Sequence, residues 1–136
     1  MKKIVLIGAG GHCKSCIDVI LQAKKHEIVA ILGKPEEKNK ALLNYQINGT
    51  DDDIRTYISQ GCEFLITVGQ IKTVASRLKL YQYLIDNKAQ LATVISPLAY
   101  VSSYATIGLG TIIMHNALVN ADAEIGNNCI INSKAL

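Results

Sequence analysis

With 136 residues, 49% of them hydrophobic, the chain can build one ordinary domain or two small ones around a real core. Its net charge of +3 comes from scattered lysines, and with no Trp and one Phe it offers neither a basic stripe nor a stacking platform, so nucleic acid is not an expected partner. Residues 4–7 are apolar but the run stops at Gly8, too short for a membrane-spanning or secretory segment, so no membrane insertion, a cytoplasmic location and mostly reduced cysteines are expected.

Residues 3–7 read as a buried strand, ended by Gly8-Ala9-Gly10-Gly11-His12. A helix follows with Cys16, Ile17, Ile20 and Leu21 on one face. Residues 27–32 form a second strand, and Asp51 can cap a helix that runs to about residue 60 and stops at Gly61. A third strand over 64–68 is closed by Gly69-Gln70. A second long helix from about residue 73 to 86 carries Val74, Leu78, Tyr81 and Ile85 on one side, and residues 91–94 lead onward. Alternation of this kind predicts a small parallel sheet flanked by helices, with any ligand at the carboxyl ends of the strands. The glycine loop sits at such an end.

That loop suits a phosphate, because glycines let the backbone approach closely and the next helix presents unpaired N–H groups with a partial positive charge. It departs from the dinucleotide fingerprint G-x-G-x-x-G, whose last glycine falls at Cys13, and the second strand ends on Gly33-Lys34 where a ribose-binding acid is expected. A nicotinamide oxidoreductase domain is therefore a minor alternative. The simplest competing reading is a glycine turn needed only for tight strand-to-helix packing.

From Ile95 onward a six-residue pattern repeats seven times. Its leaders are Ile95, Val101, Ile107, Ile113, Val119, Ile125 and Ile131, and four residues after them stand Ala99, Ala105, Thr111, Ala117, Ala123, Cys129 and Ala135. A period of six is too short for a helical pair and too regular for ordinary alternating strands, so each unit is one face of a coil whose neighbours stack on it. Leaders and small residues form its interior. The residues just after the leaders, Ser96, Ser102, Gly108, Met114, Asn120, Gly126 and Asn132, are expected at the corners between faces, Met114 being the awkward one. Seven units make two and one third turns of a three-faced coil. Only Asp122, Glu124 and Lys134 of the charged residues lie in this region, which points to two differently built parts, residues 1–90 and 91–136.

Several other groups invite functional readings. Cys13-Lys14-Ser15-Cys16 is a C-x-x-C at a helix start, but it has no second pair for zinc and Cys16 falls on the apolar face, so buried structural thiols are expected. His12 can donate to a phosphate or a sugar hydroxyl, or simply face solvent. His115 points away from the coil interior and is conceivable as a catalytic base, although no acid lies near it in sequence and a neighbouring subunit would have to supply one. Asp51-Asp52-Asp53 is explained by helix capping rather than metal, and His26 by the end of the preceding helix.

In order, Gly8-Ala9-Gly10-Gly11-His12, the segment Asn48-Gly49-Thr50-Asp51-Asp52, Gly69, Ser96-Pro97-Leu98-Ala99 and then the hexapeptides resemble the sugar acyltransferases of the sialic acid O-acetyltransferase type. That family includes enzymes that N-acetylate UDP-amino-sugars on the route to bacillosamine. The resemblance covers the whole chain. It implies a Rossmann-like domain followed by a left-handed parallel β-helix, acetyl transfer from acetyl-CoA to a sugar hydroxyl or amine without a metal, and a homotrimer with active sites between adjacent β-helices. It also implies that a UDP-sugar or a sialic acid type of substrate is held by Gly8, Gly10, Gly11, His12, Gly69 and Gln70. Relatives place one or two aspartates after the second strand, where this chain has Gly33-Lys34-Pro35. After the segment matching Ile131-Asn132-Ser133-Lys134-Ala135-Leu136 they continue with a Glu-His pair whose histidine is the general base, and with further coils. By that resemblance the expected base lies beyond Leu136 and no catalytic residue is expected within residues 1–136. The chain then reads as a shortened form with little activity of its own, or as a non-catalytic nucleotide-sugar-binding or assembly protein.

Overall fold

A computed structural model describes residues 1–69 and 74–133. In chain order its elements are β1 (Lys2–Ile7), α1 (Gly11–Ala23), β2 (His26–Leu32), the short strands β3 (Ala41–Leu42) and β4 (Tyr45–Gln46), α2 (Ile54–Ser59), β5 (Glu63–Ile66), α3 (Val74–Asp86) and β6 (Gln90–Leu91). Four of these make a parallel sheet in the order β2-β1-β5-β6. β1 lies inside it, and Ile4, Val5, Leu6 and Ile7 are all buried because both faces of a parallel sheet are covered. The two-residue period divides them: Ile4 and Leu6 pack with Cys16, Ile17 and Ile20 of α1, while Val5 and Ile7 pack with Ile54, Phe64 and Leu84.

The second part is built from seven two-residue strands, β7 (Val94–Ile95), β8 (Tyr100–Val101), β9 (Thr106–Ile107), β10 (Ile112–Ile113), β11 (Leu118–Val119), β12 (Glu124–Ile125) and β13 (Ile130–Ile131). They stack in parallel as β7-β10-β13, β8-β11 and β9-β12. Val94 meets Ile112, which meets Ile130, so the chain returns to the same face every 18 residues, consistent with the early coils of a β-helix. Ile113, Ala117 and Val119 are buried together, with Val101, Ile107, Ile125, Ala99, Ala105 and Ala123 packed around them, which is the interior that the hexapeptide pattern implies. One outer face is also buried. Val94 and Ile112 belong to the cluster that includes Cys16, Ile17 and Ile20, so α1 lies against the β7-β10-β13 ladder and joins the two parts in one continuous core.

The corners are placed differently from the sequence expectation. Positive φ falls at Gly110, Asn116, Asp122 and Asn128, the third residue after each leader rather than the first. Gly, Asn and Asp accept that backbone, and Asn116 takes the turn that Met114 was expected to strain. Met114 is instead a buried side chain beside α1. The first two corners use serine: the Ser96 and Ser102 hydroxyls accept the N–H groups of Leu98 and Tyr104 at 3.0 and 3.1 Å.

Five further departures have local causes. Leu21 is exposed, and Cys13 and Val19 join Cys16, Ile17 and Ile20 in the buried face of α1, because the helix is covered from two directions. On α3, Val74, Leu78 and Ile85 face outward while Arg77 and Leu84 are buried, so the helix packs on a face rotated from the one its aliphatics suggested. His26 does not cap α1, whose end is the left-handed Lys24. It begins β2, and its Nε2 lies 2.7 Å from Glu63 across the sheet. The turn before α2 is capped by Thr50, whose hydroxyl accepts the N–H of Asp52 while Asp53 accepts that of Thr50. The segment after β2, for which the sequence pattern suggested no element, folds as the β3-β4 hairpin and then covers the outer edge of the sheet. There Asn48 accepts from the Ile31 N–H at 2.8 Å and donates to the Val29 carbonyl.

Candidate functional site

Strand order reverses between β1 and β5, and the carboxyl ends of these two strands carry the glycine loop and the turn through Thr67, Val68 and Gly69. This is the position at which open parallel sheets bind ligands. The two sides are tied together by Thr67, which donates its backbone N–H to Ile7 and its hydroxyl to the Gly8 carbonyl at 2.6 Å.

The glycines of the loop have different tasks. Gly8 has φ of +120°, and a Cβ there would stand 2.6 Å from Val68 Cγ2 and 2.7 Å from its backbone nitrogen, so packing alone demands glycine. Gly10 and Gly11 have no atom within 4 Å of a built Cβ, so the chain's own packing does not require them. The tight-packing explanation therefore covers Gly8 and does not account for Gly10 and Gly11. Gly10 is the N-cap of α1 and Gly11 its first residue; the first turn carries no acidic residue and receives no side-chain cap, and while Cys13 gives its N–H to the Gly10 carbonyl at 3.1 Å, the N–H groups of Gly11 and His12 are left available. Gly69 comes close to His12 across the loop. Gln70 lies outside the described residues.

In front of this helix is a cleft of about 680 Å³, lined on one wall by His12, Lys14, Ser15 and Asp18 of α1 and on the other by Met114, His115, Asn132 and Ser133, with Leu43 at its margin. Its volume is in the range of small-molecule sites. Ser133 is the last described residue of that second wall. Leu136, beyond which the general base was expected, lies outside the described residues; among the described residues, the histidine in this wall is His115. Burial, and then the nearby Arg77 guanidinium, hold the His12 imidazole below its ordinary pKa, so it enters the cleft neutral at physiological pH. Its Nε2 lies 3.3 Å from Cys16 Sγ.

His115 has the acid that the sequence around it lacks. Asp18, 97 positions earlier on α1, places Oδ2 2.8 Å from His115 Nε2, and the ring's Nδ1 meets the hydroxyl of Ser96. Fold topology brings the pair together within one chain, with no second subunit needed. Sequence spacing held no signal for it.

Arg77 was also not singled out by its sequence. Only 2% exposed, it gives Nη1 to the carbonyls of Ile66 and Val68 at 2.9 and 3.0 Å and Nε to the carbonyl of Asn128 at 3.3 Å. It thus joins the end of β5 to a corner of the coil directly behind the glycine loop.

Cys13 and Cys16 are both buried, and burial pushes the Cys13 thiol up to about 11 and the Cys16 thiol higher still. Native protein at pH 8 should therefore expose about one reactive thiol to a disulfide reagent, that of half-buried Cys129, against four after unfolding. Fast modification of Cys13 or Cys16 in the folded chain would contradict this. Because the folded-state values are raised, the neutral thiols' contribution is complete below the ordinary value of 9 and is lost as pH rises through about 11 for Cys13.

Among the described residues no helix is long and apolar enough to cross a membrane. The PglD N-terminal domain family matches residues 3–84. Among solved structures, PerB from Caulobacter crescentus in complex with CoA and GDP-perosamine is similar over 98% of this chain and 61% of that one, with 29% identity and a TM-score of 0.83. A point mutant of perosamine N-acetyltransferase from the same organism, also with CoA and GDP-perosamine, matches 97% of this chain and 60% of that one at 29% identity and a TM-score of 0.84. The acetyltransferase domain of PglB from Neisseria gonorrhoeae FA1090, in complex with acetyl coenzyme A, shares the fold at 23% identity, with a TM-score of 0.82 over 96% of this chain and 62% of that one. The chain thus spans about three fifths of the length of these relatives. No curated protein matches it. With a family model that matches residues 3–84, more than half of its length, the chain belongs to the PglD N-terminal domain family.

Proposed function

We propose that the chain is part of a glycan-biosynthesis acetyltransferase, in which residues 1–90 are a Rossmann-like unit that holds a nucleotide-linked sugar and residues 91–136 begin a left-handed β-helix. The observation that carries this reading is the similarity, over 98% of the chain, to PerB holding CoA and GDP-perosamine. The co-substrate is acetyl-CoA, by analogy with relatives crystallised with CoA or acetyl coenzyme A.

Within the cleft, the N–H groups at the start of α1 donate to the diphosphate, Gly10 and Gly11 give it room, and Lys14 adds charge. Neutral His12 offers a hydrogen bond to phosphate or sugar, and Gly8, Gly69 and Gln70 complete the loop set. Assembly as a homotrimer is supported by the outer face of β8 and β11, where Tyr100 and Leu118 are paired in register yet 61% and 53% exposed.

Thermal-shift titration of residues 1–136 tests the binding half of the reading. UDP- or GDP-linked sugars should raise Tm, by an amount equivalent to about 2.7 kcal/mol at a hundred times Kd, while NAD and NADP leave it unchanged. A preference for the nicotinamide nucleotides would replace this reading with an oxidoreductase one.

A further inference from the structure

Cys16 lies one helical turn beyond His12 on α1, and its Sγ is 3.3 Å from Nε2 of the ring. The thiol is 0% exposed and meets no other hydrogen-bond partner among the described residues. Two proton arrangements fit this contact, and they differ in strength. A thiol proton given to the imidazole lone pair joins the buried S–H to a good acceptor. A ring N–H given to sulfur relies on a weak acceptor and leaves the buried S–H unpaired. Burial, the leading cause of both pKa shifts, keeps the proton on sulfur and the lone pair on the ring, so it favours the first arrangement on each side of the contact.

The consequence falls on the other nitrogen. With Nε2 accepting, the single proton of the neutral ring resides on Nδ1. Nδ1 has no partner among the described residues and is not sealed from solvent, and the ring lines the cleft. The groups beside it on that wall are of the same kind. The free N–H groups of Gly11 and His12 donate, and so does the ammonium of Lys14. A fully ionised diphosphate offers acceptors to all of them and a proton to none.

We propose that Cys16 is a positioning residue, whose thiol holds His12 as the Nδ1–H tautomer so that the ring meets the ligand only as a donor, to an oxygen of its diphosphate. This rests on the nucleotide-sugar reading above. It gives one cysteine of the C-x-x-C pair a task that needs neither redox chemistry nor a metal, and that its burial serves rather than hinders.

Nitrogen NMR on isotope-labelled residues 1–136 reads the tautomer directly. The His12 proton should be on Nδ1 in the wild type, and on the same nitrogen in Cys16→Ser, which keeps a donor. In Cys16→Ala the ring should move toward the Nε2–H form that a free imidazole prefers. A purely structural role for Cys16 would lower stability in that variant without moving the tautomer. Calorimetry with UDP and GDP supplies the second measurement. His12→Ala should lose about tenfold in affinity, the worth of a hydrogen bond to a charged group. Cys16→Ala should lose about threefold, because a smaller fraction of the ring is then in the binding tautomer, and Cys16→Ser should restore it. A wild-type proton on Nε2, or a tautomer unchanged in Cys16→Ala, overturns the role of Cys16. His12→Ala binding both nucleotides like the wild type overturns the diphosphate contact. If the wild type shows Nδ1–H yet binds neither nucleotide, the nucleotide reading falls together with the diphosphate contact, and the tautomer assignment stands apart from that failure.

Discussion

Gly8→Ala should cost the fold about 3 to 5 kcal/mol, whereas Gly10→Ala and Gly11→Ala should leave stability unchanged or slightly raised and weaken ligand binding instead. At Gly8 the added methyl meets both the Val68 side chain and its backbone nitrogen, and φ of +120° is costly for any L-residue. Neither strand can yield easily, since Gly8 donates its N–H to Leu32 at 2.8 Å and receives the Thr67 hydroxyl. At Gly10 and Gly11 the space is open, and alanine starts a helix at lower entropic cost. A methyl in that space would press on any phosphate drawn to the helix N-terminus, lowering nucleotide-sugar affinity by about tenfold or more. Denaturant melts and calorimetry on the three variants separate the outcomes. If Gly10→Ala and Gly11→Ala both bind nucleotide sugars like the wild type, the loop is only a packing device.

Arg77→Met should destabilise the chain by about 3 kcal/mol, because Met fills most of the volume but supplies no donor to the carbonyls of Ile66, Val68 and Asn128. The cation has no carboxylate partner among the described residues. Its Nη1 and Nε donate to backbone oxygens at the end of β5 and at the coil corner, while Nη2 is buried without a partner among the described residues, and loss of the side chain would loosen the end of β5 and the coil corner together. The same guanidinium is the second cause, after burial, of the lowered His12 pKa. Removing it should move the His12 titration upward toward 6.5, a change that proton NMR follows directly in the folded variant. Arg77→Lys keeps the charge but not the fork, and should retain more of the His12 effect than of the stability. A Met variant as stable as the wild type with an unmoved His12 would refute both parts.

Much of the architecture was legible because it is written in short periods. The apolar run Ile4 to Ile7 signals a strand buried on both faces, the loop at Gly8 signals the first turn at a ligand-binding edge, and the six-residue repeat signals stacking with a return every 18 residues. Leaders and small residues make the interior as the pattern requires. What periodicity does not carry is which outer face another element covers. Val94 and Ile112 are buried because α1 lies over them, and Leu78 and Ile85 are exposed because α3 presents Arg77 and Leu84 to the core instead.

The candidate site divides along the same line. Its glycine loop could be read from sequence because turn chemistry is local, and a helix start that attracts anions follows from the residues on either side of it. Asp18 and His115 are 97 positions apart, and no local rule connects them. Nor does sequence distinguish Gly8, which packing demands, from Gly10 and Gly11, which it does not. Those distinctions arise only when α1 docks on the coil and β5 lies beside β1, since they depend on distances between segments that the chain's own connectivity leaves free.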